Sequence, residues 1–283
     1  MTNLAWATDI HLDFIDSGDQ KELVRFGESL IASNPSAILL TGDISIAKSL
    51  TYHLSALERI VERPIYFVLG NHDFYHGSVA EVRKNMKELT NMSQYLRYLP
   101  TTPYVSLTPK TALIGHDGWY DAGYGDVKKT NFVMRDWMAI SEFVMGGAMS
   151  STAMYAGGAP NYGKVVVEAR KLAHEATLHV MNGIKAAAKY HNVMIIATHF
   201  PPFQEAHIYE GRVGIAGVQP WYTSKMMGDM LRQAVIAYPK VRFEVFAGHT
   251  HGQYSGQIAD NLFCHVGGAE YHKPRLQSLI EVP

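Results

Sequence analysis

The chain has 283 residues, 47% hydrophobic and 18% charged, with a net charge of −1. That much apolar material supports a sizeable core, and no run approaches the ~18 consecutive apolar residues of a membrane span. The near-neutral balance, without blocks of like charge, argues against bulk electrostatic binding of nucleic acid, although a nucleotide stays open as a small substrate. Cys264 is the single cysteine, so an intramolecular disulfide and a Cys-rich zinc site are excluded, whereas 14 His point any metal binding towards nitrogen and oxygen ligands. The first Lys is Lys21, with no basic start ahead of a long apolar stretch, so no signal peptide is read and a cytoplasmic protein is expected.

Asn3 to Thr8 is a short apolar run that stops at Asp9-Ile10-His11. Leu23, Phe26, Leu30 and Ile31 recur at helical spacing, which predicts an amphipathic helix over Lys21 to Ser33, ended by Pro35. Ala37 to Leu40 reads as the second strand and runs into Thr41-Gly42-Asp43. A helix through Leu54, Leu57, Ile60 and Val61 leads to a third strand, Ile65 to Leu69, which closes on Gly70-Asn71-His72-Asp73. Gly70 is read as the residue that lets the backbone turn there. Val79, Val82, Met86 and Leu89 mark the next helix, and strand-like runs follow at Tyr104 to Leu107 and Thr111 to Gly115. From His116 to about Gly163 the periodicity is lost, and this stretch is expected to be a mobile loop walling the site. Lys164 to Tyr190 reads as a long helix, and Val193 to Ala197 as a strand ending at Thr198-His199-Phe200-Pro201-Pro202. A helix over Ser224 to Tyr238 precedes the strand Val241 to Phe246, which ends in Gly248-His249-Thr250-His251, and Leu262 to Val266 and Leu276 to Val282 close the chain as strands. The alternation of strand, polar turn and helix predicts an α/β protein, by itself compatible with a doubly wound sheet. With no repeat or linker, one domain over residues 1–283 is expected, with an irregular insertion at about 116–163.

Five apolar runs therefore end in residues with metal-ligand chemistry: Asp9 with His11, Asp43, Asn71 with His72, His199, and His249 with His251. Taken singly, an Asp after Gly is an ordinary turn residue and a lone His is ordinarily hydrogen-bonded or solvated. Together, at strand ends that can share one edge of a sheet, they point to a metal site. Residues two apart in an extended segment face the same side, which would pair Asp9 with His11 and His249 with His251.

The blocks Asp9-Ile-His11, Gly42-Asp43, Gly70-Asn-His-Asp73, Thr198-His199 and Gly248-His-Thr-His251 resemble, in order, the motifs of the calcineurin-like metallophosphoesterase superfamily. The resemblance spans nearly the whole chain. It implies two packed mixed β-sheets flanked by helices, with the site at the strand ends. It further implies one metal held by Asp9, His11, Asp43 and His251, and another by Asp43, Asn71, His199 and His249, with Asp43 bridging. The ions would be two divalent or mixed-valence metals (Mn, Fe, Zn or Co). The implied reaction is hydrolysis of a small phosphoester by a metal-bridging hydroxide, with His72 protonating or stabilising the leaving oxygen. Asp73 is given either an orienting or a plain turn role.

After Asp43 the chain reads Ile44-Ser45-Ile46-Ala47. It lacks the Val-Asp-Arg-Gly of the superfamily's protein Ser/Thr phosphatases, and Ile46 stands where purple acid phosphatases carry an iron-binding Tyr. A bacterial-type small metallophosphoesterase remains. The alternatives are a cyclic-nucleotide or other phosphodiesterase with the same core, and a non-catalytic interaction module of this fold. His116, Asp117, Trp119, Tyr120 and Asp121, and His207, Tyr209 and Arg212, are weighed as pocket-lining and left outside the site. His53, His76, His174, His179 and His191 are read as structural or exposed.

Overall fold

The computed structural model describes residues 2–15, 20–149, 158–209 and 211–283. Its elements run β1 (Thr2–Ala7), α1 (Lys21–Ile31), β2 (Ala37–Thr41), α2 (Ala47–Val61), β3 (Ile65–Val68), α3 (Val79–Met92), β4 (Leu96–Tyr98), β5 (Val105–Ser106) and β6 (Thr111–Gly115). They continue with α4 (Asp136–Ala139), α5 (Ser141–Met145), α6 (Tyr162–Ala187), β7 (Val193–Ala197), β8 (Ile208–Tyr209), β9 (Arg212–Val213), α7 (Lys225–Ala237), β10 (Arg242–Ala247), β11 (Tyr254–Ala259), β12 (Leu262–Val266) and β13 (Ser278–Val282). Two sheets form, in the orders β13-β1-β2-β3-β4 and β11-β12-β10-β7-β6-β5, with β8-β9 as a separate ribbon. The expected two mixed sheets flanked by helices are present, and a single doubly wound sheet is not. The sequence reading missed β4 and β11. β4 has only three residues, and β11 is an edge strand without a fully buried side chain.

Period-two alternation makes the layers. Leu4 and Trp6 of β1 and Leu39 of β2 face the other sheet and meet Leu113, Ile195, Ala197 and Phe246 there. Their neighbours Ala5, Ala7, Ile38 and Leu40 face the opposite way, into the cluster with α1, α2 and α3. The second sheet's outer face packs on α6 and α7 through Ile184, Val180, Leu231 and Met227. Between the sheets Trp6 and Phe246 meet edge to face at 5.0 Å, and the buried Trp6 Nε1–H donates to Thr41 Oγ1 at 3.0 Å, so the indole leaves no unpaired donor.

The strands that carry the chemistry are parallel, which puts their C-terminal ends on one edge. Leu40 pairs with Ala7 and Thr41 with Val68 in the first sheet; Ala197 pairs with Phe246 and Gly115 in the second. The described part of residues 116–163 is not a loose cover. Trp119, Tyr120, Trp137 and Phe143 are fully buried in the main core, and Glu142 accepts from the Val79 and Ala80 N–H groups at the start of α3. Residues 150–157 of the expected insertion lie outside the described residues. No helix among the described residues is long and apolar enough to cross a membrane.

Leu39 is fully buried between the sheets, behind the site. Leu39→Ala is expected to lower the unfolding free energy by about 2–5 kcal/mol. Urea unfolding followed by tryptophan fluorescence reads this directly.

Candidate metal centre

The turns after the strands do not continue the extended backbone. Asp9, His11, Asp43, His249 and His251 all have positive φ, at 50°, 42°, 49°, 69° and 56°. The two pairs therefore converge through left-handed residues, which corrects the expectation that two-residue spacing in an extended segment would align them. Asp and His are among the non-glycine residues that tolerate this region, at about 1–3 kcal/mol for a sparsely populated conformation. Cross-links hold them in place. The Asp9 and His11 N–H groups donate to the Gly42 and Asp43 carbonyls at 3.1 and 3.0 Å, and the His249 N–H donates to the Asp9 carboxylate at 2.9 Å. Gly70 serves differently from the sequence reading: its φ is not positive, but a Cβ there would lie 2.1 Å from Asp43 Oδ1. Close approach of β3's turn to Asp43 requires the missing side chain.

All eight predicted residues meet at this edge. Asp43 lies between two groups of imidazoles, with Oδ1 at 3.3 Å from His199 Nε2 and Oδ2 at 3.9 Å from His11 Nε2. On one side His11 Nε2 is 3.2 Å from His251 Nε2, which is 3.5 Å from Asp9 Oδ1. On the other, Asn71 Oδ1 is 3.2 Å from His199 Nε2 and 3.0 Å from His249 Nδ1. His72 joins the first group, with Nε2 4.0 Å from Asp43 Oδ2, and its main-chain N–H donates to Asp43 Oδ1 at 2.9 Å. Its side chain is 13% exposed, open to the cavity above.

The hydrogen bonds behind these atoms decide which way they point. His199 Nδ1 bonds the Thr41 carbonyl at 2.9 Å and His249 Nε2 the Trp221 carbonyl at 3.2 Å. Each carbonyl demands an N–H, so in the neutral rings His199 Nε2 and His249 Nδ1 are left as lone pairs. The Asn71 amide is oriented too: Nδ2 donates to Asp136 Oδ1 at 2.9 Å, which turns Oδ1 inward. With neutral rings, the two imidazole lone pairs converge on Asn71 Oδ1 with no hydrogen between them. A cation is the group this arrangement fits, and Asp9-His11-His251 and Asp43-His199-His249 each bring their donor atoms close enough to share one.

Burial and mutual charge set the protonation of the empty centre. Burial holds His11 and His249 well below the usual imidazole range, as neutral ligands must be. Burial also raises Asp9, while for Asp43 it is outweighed by the surrounding His199, His72 and His11, which hold its carboxyl well below the ordinary value. His199 goes the other way: burial opposes its charge, but the adjacent Asp43 prevails and lifts it to about 9.

Several residues the sequence did not single out complete the site. Asp136, fully buried on α4, accepts from both Asn71 and the Tyr75 hydroxyl, the latter at 2.8 Å. No local pattern marks it, because its partner lies 65 positions away. Asp73 proves to be a brace, taking the N–H groups of Ile44, Ser45 and Gly70 at 2.9, 2.7 and 2.8 Å and so tying the β2 and β3 turns together. Asp117 is a second brace, bonded to Leu69 N, Arg83 Nε and the Tyr98 hydroxyl. His53 is buried against Ser45. A cavity of about 380 Å³ opens over Asp43, Asn71, His72, His249 and His251. Its walls are Phe14 and Tyr271 on one side and Phe132, Tyr209 and Tyr222 on another, with Tyr75 and Arg135 beside His72. Of the residues weighed as pocket-lining, Tyr209 lines it; Trp119 and Tyr120 are core, and His116, Asp117, Asp121, His207 and Arg212 do not line it.

The fold has counterparts among solved structures. The phosphopantetheinyl hydrolase of Mycobacterium tuberculosis superposes with a TM-score of 0.58 at 14% identity, over 94% of this chain and 89% of that one. A dimetal phosphatase from Danio rerio gives a TM-score of 0.58 at 12% identity, over 96% and 89% of the two chains. The anchor in the inner membrane complex of Plasmodium gives 0.50 at 14% identity, over 94% and 71%. At such identities these likenesses show the fold alone. No curated protein sequence matches the chain. The family model for calcineurin-like phosphoesterases matches residues 2–253. The chain thus belongs to the calcineurin-like phosphoesterase family, whose members use divalent metals in a binuclear site, and it is a metal-dependent phosphoester hydrolase.

Proposed function

We propose that Asp9, His11, Asp43 and His251 hold one divalent cation, that Asp43, Asn71, His199 and His249 hold a second, and that the centre hydrolyses a small phosphoester. The observation that carries this reading is the convergence of His199 Nε2 and His249 Nδ1 on Asn71 Oδ1, at 3.2 and 3.0 Å, each ring having its other nitrogen bonded to a carbonyl. The names of the Mycobacterium and Danio neighbours, a hydrolase and a dimetal phosphatase, lend support. When bound, such a cation pair supplies charge neutralisation of phosphoryl oxygens and a water of lowered pKa.

The chain's own residues do the rest. Two carboxylates, Asp9 and Asp43, face the centre, and the other ligands are neutral, so the loaded site keeps positive charge for an anionic ester. Asp43, placed between the two groups, screens the cations from each other. His72 stands at the cavity floor. Burial keeps its pKa below the ordinary imidazole value, so at neutral pH it is uncharged yet still carries one N–H. Held beside Asp43 and the Tyr75 ring 4.3 Å away, the neutral ring would stabilise the departing oxygen by a hydrogen bond from that N–H, without transferring the proton.

Asp43→Ala is expected to abolish turnover and empty at least one metal position, whereas His72→Ala retains both metals and slows kcat by about 10²–10⁴-fold. Metal analysis by mass spectrometry beside kinetics on an alkyl phosphate separates the two. Full turnover by the His72 variant on that poor leaving group would remove His72 from the role of stabilising the departing oxygen. Asp136→Asn, which deprives the Asn71 amide of its charged acceptor, is expected to weaken metal affinity about 10–100-fold, read by competition with a chromophoric chelator.

Metal uptake should also depend on pH. Because His199 in the empty centre titrates at about 9, below that pH it carries a proton that ligation must displace. Apparent metal affinity therefore rises as pH rises towards about 9 and levels off above it. Calorimetry in two buffers of different ionisation enthalpy would show the released proton at neutral pH, and heat independent of buffer would contradict the assignment of His199.

A further inference from the structure

We infer that Arg135 makes this centre select phosphomonoester dianions over phosphodiester monoanions, an inference that rests on the hydrolase reading above. Arg135 lines the cavity beside His72 and Tyr75, and it is the one Lys or Arg among the described residues that does so. The rest of that wall, Phe132, Val133, Tyr209, Tyr222 and Tyr271, is apolar or aromatic. No second Lys or Arg in that lining shares its task.

Its main chain is fixed relative to the candidate ligands. The next residue, Asp136, is fully buried and bonded to the Asn71 amide at 2.9 Å and the Tyr75 hydroxyl at 2.8 Å. The Arg135 carbonyl accepts from the Met138 and Ala139 N–H groups at 3.0 and 2.9 Å, and the Ala139 carbonyl accepts from the His76 N–H at 2.7 Å. The side chain is guided as well. The guanidinium lies 5.2 Å from the centroid of the Tyr75 ring, whose other close neighbour is the His72 ring at 4.3 Å.

The guanidinium forms no ion pair among the described residues: its Nη2 meets His76 Nε2 at 3.3 Å, and the Asp13 carboxylate acts on it only at longer range. A planar fork with five donors, held by an aromatic ring at the rim of a site for phosphate and leaving most of those donors unused, matches the oxygens of a phosphoryl group. A monoester presents an additional unesterified, charged oxygen for this fork. In a diester that oxygen is esterified, uncharged and bulky, so Arg135 gains little from it. The cation thus favours the monoester through binding, while the metal residues and His72 are common to both substrates.

The test compares an aryl phosphate monoester with its methyl diester in the metal-loaded protein and in Arg135→Ala and Arg135→Lys, together with calorimetric binding of inorganic phosphate. Arg135 is exposed, so neither substitution opens the core. Arg135→Ala is expected to raise the monoester KM and weaken phosphate binding by about 10–100-fold, with kcat and the diester much less affected. Arg135→Lys, which keeps the charge without the fork, should recover part of the loss. Equal losses on both esters, unchanged phosphate binding, or a wild-type preference for the diester would each overturn the inference. A wild type that hydrolyses neither ester would instead sink the hydrolase reading, and the phosphate titration alone would then decide the role of Arg135.

Discussion

Mutual repulsion of lone pairs is the constraint around which this protein is arranged. Asn71 Oδ1, His199 Nε2 and His249 Nδ1 are pushed together by hydrogen bonds on their far sides, to Asp136, the Thr41 carbonyl and the Trp221 carbonyl. Without a positive charge among them the arrangement costs energy. A proton on His199, stabilised by Asp43, serves that need, and a metal would serve it better because it would satisfy every lone pair at once. On the other side of Asp43, His11 Nε2 and His251 Nε2 stand 3.2 Å apart, close enough for one N–H to bridge them.

Such a cluster needs a frame stiff enough to resist relaxing. Two parallel sheet cores supply it, because their strands end on a common edge and their facing side chains lock the sheets through contacts such as Trp6 on Phe246. The strain then concentrates in the turns. Five ligand candidates occupy left-handed backbone, and their amides and carbonyls are bonded across from strand end to strand end. Asp73 carries a large share of this bracing, since one carboxylate fastens three N–H groups from two turns. Its place beside Asn71 and His72 in the sequence leaves an orienting or a plain turn role open, and its burial and three N–H bonds make it a brace.

The segment after β6 ties core, metal centre and substrate cavity together. Trp119, Tyr120, Trp137 and Phe143 anchor it in the core, Glu142 fastens it to α3, and between them it delivers Asp136 to Asn71 and Arg135 to the cavity. One short stretch thereby reaches both the candidate ligands and the cavity beside them. Its lack of periodicity follows from this: residues placed by contacts to several distant elements have no reason to repeat at a helical or strand interval.

Much was determined by the sequence alone. Apolar runs of strand length that end in Asp, Asn and His carry their own signal, because periodicity and residue type are local properties, and from them came the longer helices, the strands that end at the site and all eight candidate residues. Other matters were decided only by tertiary structure. Which sheet each strand joins, the left-handed turns that bring Asp9 to His11 and His249 to His251, the bracing by Asp73 and Asp117, and the presence of Tyr75, Arg135 and Asp136 at the site all depend on partners tens to hundreds of positions away. Local chemistry can name a ligand, but only the packed chain can set the hydrogen bond behind it, and that bond determines where its lone pair points.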